Sequence, residues 1–125
     1  MPLSENDLAC LIDIEECIAD IEDFGRNIPF HQFENDKMRK LAVKRQLEVL
    51  GQAALGVSKE AQDDLAGIPW RQIIGLRNKL AHDYGEILTK RIWDIATQSL
   101  GPVKSEIDKI AVLRQFRHLH KEEGN

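Results

Sequence analysis

The chain has 125 residues, 42% of them hydrophobic and 30% charged, with a net charge of −4. That is enough for one real core, too short for two, and too apolar for wholesale disorder. No apolar run approaches membrane-spanning length, "MPLSENDLAC" lacks the basic start and greasy stretch of a signal peptide, and the acidic balance argues against nucleic-acid binding by bulk charge.

These exclusions make the cytoplasm the expected location and leave room for a local basic cleft. There is almost no strand signal, no repeat and no linker. A first helix is expected from Ser4, where Ser4-Glu5-Asn6-Asp7 resembles a capping box with the shorter Asp in its last place. It carries Leu8, Leu11, Ile12, Ile18 and Ile21 to about Phe24, stopped by Gly25 and Pro29. Cys10 and Cys17 lie roughly 10 Å apart along its axis, so they cannot bond to each other and read as buried thiols without a role. A second helix covers about Asp36 to Leu55, with Gly56 as its stop. Ser58 can cap a short helix ending near Gly67, and Pro69 suits the opening of a third long one. A fourth begins near Thr89, meets a kink or break at Gly101-Pro102, and continues through Val103, Ile107, Ile110 and Val112. Residues 114–125 read as a frayed basic tail. The expected fold is all-α, an antiparallel bundle of four to five helices forming a single domain over residues 1–125.

The second helix is apolar over about half its circumference, at Met38, Ala42, Val43, Leu47, Val49, Leu50, Ala53 and Ala54. A helix packed on one core shows a narrower stripe. The surplus points to a second buried contact, most simply with another copy of the chain about a two-fold axis.

"WRQIIGLRNKLAHDY", Trp70 to Tyr84, concentrates the chemistry. On an ideal wheel Trp70, Ile73, Ile74, Leu76, Leu80, Ala81 and Tyr84 form one apolar arc with Arg77 in its middle. Gln72, Lys79 and Asp83 fall on the solvated side, and Arg71, Gly75, Asn78 and His82 along one edge. Arg77 and His82 then stand roughly 140° apart and converge only in a groove or through a distorted helix. A guanidinium cannot shed its charge, so two readings stand side by side. Either Arg77 forms a structural ion pair with Glu15 or Glu48, or it lines a cleft and receives an anion whose oxygens fit its planar fork. His82 is equally open: a helix-end dipole partner, or a group that exchanges protons near neutral pH. Asn78 lies on the His82 side and could orient the ring or a substrate, whereas Tyr84 by itself reads as packing.

No metal route is suggested. Bundle di-metal sites use Glu-x-x-His motifs, and no Glu stands three residues before His31, His82, His118 or His120. Nothing calls for a cofactor.

"RNKLAHDY" matches R-x-x-x-x-H-x-Y, and this stretch resembles the signature of the HepT toxins within the HEPN ribonuclease superfamily. "DKMRKLAVKRQLEVLGQAA" resembles the family's second-helix block, and "IWDIATQSLGPVKSEI" its closing helix. Together these blocks cover about Phe33 to Ile110. Gln52 stands where the family block usually has Glu, with Arg45 and Glu48 on the same stripe as further supporting candidates. The resemblance implies a homodimeric, metal-independent endoribonuclease with Arg77 and His82 as the catalytic pair and Asn78 beside them. It implies a 2′-OH attack leaving a cyclic phosphate and a 5′-OH. It also implies a partner, an MntA-type nucleotidyltransferase antitoxin that AMPylates Tyr84. The rival is a non-catalytic helical subunit that presents nucleotide or substrate to a nucleotidyltransferase.

Overall fold

The computed structural model describes residues 3–110, 112, 113 and 115. The expected basic tail, residues 114–125, lies outside the described residues apart from Gln115. Every regular element among the described residues is helical, as expected. The helices are α1 (Glu5–Gly25), α2 (Phe30–Glu34), α3 (Lys37–Leu55), α4 (Lys59–Asp64), α5 (Trp70–Ile74), α6 (Leu76–His82), α7 (Gly85–Asp94) and α8 (Leu100–Asp108). A π-helical turn, Ile95–Ser99, joins the last two.

The caps set α1 and α4 together. The Asp7 backbone N–H donates to Ser4 Oγ at 3.0 Å and the Asp7 carboxylate accepts from the Ser4 N–H, so the capping box is present in full. The same carboxylate accepts from the Ser58 N–H at 2.7 Å and the Ser58 hydroxyl at 3.0 Å, while Ser58 Oγ caps α4. Two helix starts fifty residues apart thus share one buried acid, 4% exposed. Burial alone would raise the Asp7 pKa, but the hydrogen bonds from Ser58 and Ser4 outweigh it and hold the carboxyl below its ordinary value.

α1 lies along α3, and α3 is the hub, packing also on α2, α5, α6 and α7. Leu11, Ile14, Ile18 and Ile21 of α1 meet Val43, Leu47, Leu50 and Ala54 of α3 in one continuous core with Ile92, Leu100, Val103 and Ile107. Gly56 ends α3, but not through a left-handed bend, since its φ is −75°. A Cβ there would stand 2.8 Å from Cys10 Sγ, so the glycine lets α1 pass close. Cys17 is buried and both thiols are free. Burial first, then Asp13, Asp20 and Glu16, push the Cys17 pKa up to about 11.

Four local expectations need correction. A short helix, α2, stands where none was expected: Pro29 is its N-cap, and Phe33 anchors it, buried against Trp93 at 5.2 Å between ring centroids. α4 ends at Asp64, before Gly67. The fourth long helix starts at Gly85 rather than near Thr89, because Gly85 takes a φ of +58° and Thr89 Oγ1 bonds back to the Gly85 carbonyl. Pro102 does not break the helix. A proline ring clashes with the carbonyl four residues back and offers no N–H, and here the wider Ile95–Ser99 turn comes just before it.

Candidate active site around Arg77

The helix expected from Pro69 is two helices. α3 and α5 approach so closely at Gly51 that a Cβ there would lie 3.0 Å from the Ile73 carbonyl oxygen. At Gly75 ψ relaxes to −4°, far from the helical value, and α6 restarts at Leu76. The ideal wheel therefore does not carry through. Trp70 and Ile73 of α5 and Leu76 and Leu80 of α6 are buried, Ile74 is half-buried, and Ala81 and Tyr84 are exposed. Arg77, expected in the middle of a buried arc, is exposed instead.

Arg77 lines a cleft of about 430 Å³ between α1, α3 and α6. Asp13 of α1 and Arg45, Glu48, Val49, Gln52 and Ala53 of α3 line it with Arg77. From Nη1 the guanidinium donates to Gln52 Oε1 at 2.9 Å. Among the described residues it forms no ion pair with Glu48, one of the two expected structural partners. Its hydrogen-bond partner is a neutral amide, which orients the group without neutralising it, and the carboxylates of Asp13 and Glu48 line the same cleft. Gln52, Arg45 and Glu48, which share one stripe of α3, line the cleft with it.

His82 is the last residue of α6 and is exposed, as is Asn78 one turn earlier. Within α6 the i, i+5 spacing of Arg77 and His82 keeps them on different faces of one regular helix. The chain then leaves the helix through Asp83 and Tyr84, both extended. Tyr84 is 77% exposed, so the packing role that its place on the wheel suggested is not the one it has. Asp83 was expected on the solvated side. Its carboxylate is instead only 15% exposed and accepts from Arg91 Nε of α7 in a close ion pair. Sequence reasoning missed this contact because the two residues lie on opposite sides of a turn, in different helices, where no wheel relates them.

Among the described residues no group of three or more His, Cys, Asp or Glu side chains stands close enough to hold a metal ion. No described helix is long and apolar enough to cross a membrane.

The family model described as Ribonuclease HepT-like matches residues 14–110. A protein of Methanocaldococcus jannaschii whose name marks it as a candidate RNase is 33% identical over 107 residues, 85% of this chain and 98% of its own. A second such protein of that organism is 35% identical over 102 residues, covering 82% of this chain and 84% of the other. "Probable ribonuclease HepT" of Thermococcus cleftensis is 33% identical over 100 residues, 80% of this chain and 91% of that one. No solved structure matches significantly. With the match reaching from α1 through α8 and including the whole Arg77–Tyr84 segment, the chain belongs to the HepT-like ribonuclease family.

Proposed function

We propose that the protein is a cytoplasmic toxin of a toxin-antitoxin pair, an endoribonuclease that cleaves RNA without a metal ion. The observation that carries this reading is Arg77, exposed, lining a cleft and oriented there by the neutral Gln52 amide. In the step proposed, the ribose 2′-oxygen attacks the adjacent phosphorus as its proton is removed. The bond from phosphorus to the 5′-oxygen breaks, that oxygen takes a proton, and a 2′,3′-cyclic phosphate and a 5′-OH result. Arg77 supplies the cation beside the crowded phosphate, His82 one proton relay, and Asn78 a neighbouring amide that orients ring or substrate.

One histidine serves one proton transfer, and Arg77 and His82 diverge on their own helix. A two-fold dimer places a second copy of both groups at a shared cleft. Supporting this, Met38, Leu41, Arg45, Glu48, Gln52 and Leu55 follow one another at three- and four-residue steps along α3, and Met38, Leu41 and Leu55 are exposed. The apolar ends of this stripe flank the polar cleft residues.

Tyr84 is the proposed site of AMPylation by a nucleotidyltransferase antitoxin, its exposure leaving the hydroxyl open to another enzyme. The added phosphodiester brings negative charge and bulk beside the RNA-binding surface, so inhibition follows without unfolding.

The test is incubation of the pure protein with tRNA and mRNA in excess EDTA. Cleavage that leaves cyclic-phosphate and 5′-OH ends is expected. Tight nucleotide binding with intact RNA replaces the enzyme with a nucleotide-binding subunit.

A further inference from the structure

We propose that Asp83 and Arg91 are positioning residues that set the orientation of His82 and Tyr84, a role that rests on the nuclease reading for its functional side only. Asp83 is the one residue between the two, so whatever fixes its backbone fixes both neighbours. The join from α6 to α7 consists of Asp83 and Tyr84 alone, both extended, followed by Gly85 in the left-handed region. No side chain caps the start of α7. Two extended residues without a cap have many conformations available, and ordering them requires an interaction that outweighs that freedom.

The Arg91 guanidinium provides it. It lies two turns into α7, a helix whose C-terminal half is anchored by buried Ile92 and by Trp93 against Phe33 and Phe30. It reaches back through Nε to Asp83 Oδ2, and the carboxylate is the more deeply buried partner. Exposed pairs such as Lys59–Asp63 join residues one turn apart within a single helix and add nothing to tertiary geometry, whereas Lys104–Glu22 ties α8 to α1. Asp83–Arg91 instead joins the end of one helix to the body of the next.

The test uses Arg91→Ala, Asp83→Ala and the charge-exchanged Asp83→Arg/Arg91→Asp, with Lys59→Ala as the control for loss of an ordinary surface pair. Two measurements are made on each full-length protein. The first is amide hydrogen exchange, which does not depend on catalysis. Faster exchange across residues 82–85 is expected in both single variants, with α1 and α3 as protected as in the parent and Lys59→Ala unchanged. Parent-like exchange at 82–85, or loss of protection throughout α1 and α3, overturns the proposal. The second is RNA cleavage. A fall in kcat of roughly tenfold to a hundredfold is expected from misplacement of a reacting group, with KM for RNA changed by less than about threefold and partial recovery in the charge-exchanged protein. A rise in KM at constant kcat overturns the positioning role. Should the parent protein leave RNA intact, the nuclease reading fails by itself, and the exchange measurement alone decides whether the pair orders the segment.

Discussion

Arg77 donates to the side-chain carbonyl of Gln52 across 2.9 Å, joining α6 to α3 through a neutral group. A carboxylate in the same place would orient the arginine and cancel it. The amide orients it without neutralising it, in a cleft that Asp13 and Glu48 also line.

Replacement of Arg77 or His82 by Ala is expected to abolish RNA cleavage and leave the fold intact. Both side chains are exposed, so stability should change by no more than about 1 kcal/mol, the worth of the Arg77–Gln52 hydrogen bond. Cleavage assays paired with thermal melts check this, and wild-type cleavage by either variant rejects the site.

Gln52→Ala removes the tether but not the charge. The hydrogen bond is exposed, so about 1 kcal/mol of orientation is at stake and cleavage should fall by about tenfold or less. A loss equal to that of Arg77→Ala would mean that Gln52 itself touches the substrate.

Tyr84→Phe should cleave RNA as the parent does, since the ring is exposed and no hydroxyl contact holds the fold. It should take no AMP from the antitoxin, measured by intact mass after incubation with ATP and that partner. A variant that no longer cleaves places the phenol in the chemistry instead.

Gly51→Ala puts a methyl group 3.0 Å from the Ile73 carbonyl, which is backbone and cannot swing aside. α5 must move away from α3, carrying Gly75 and Arg77 with it. A destabilisation of about 1–3 kcal/mol in urea unfolding is expected, with reduced cleavage at temperatures where the protein is still folded.

Asp7 gives the fold a defined response to acid. Its folded pKa is depressed, so its stabilising effect is complete above the ordinary carboxylate pKa of 3.8 and is lost as pH falls through the lower folded value. The stability difference between the parent and Asp7→Asn should therefore be largest near neutral pH and shrink below about pH 4 in urea titrations. A gap that widens toward acid contradicts the hydrogen-bond arrangement.

Local signals reported the fold well where a single helix decided the outcome. Ser4 and Ser58 cap where their side chains suggest, and α3 runs from just after Asp36 to Leu55. They failed where the outcome depended on a neighbour. The arc from Trp70 to Tyr84 looked continuous because a wheel assumes one axis, and the close passage of α3 at Gly51 lies outside that assumption. Arg77, His82 and Tyr84 stand out as candidates because they match the R-x-x-x-x-H-x-Y signature that the stretch resembles. The exposure of Arg77, its Gln52 partner and the Asp83–Arg91 pair were not legible, because each joins segments that are not helical neighbours in sequence.

The π-helical turn at Ile95–Ser99 holds one residue more than a regular helix would use to cover the same rise. Everything after it is therefore rotated by about 100° relative to an uninterrupted rod. That rotation determines which side of α8 Leu100, Val103 and Ile107 occupy when they reach α1. Deleting a single residue between Ile95 and Ser99 should turn this trio away from the core far more damagingly than substituting any one of the five, and a relative without the proline is expected to be one residue shorter there.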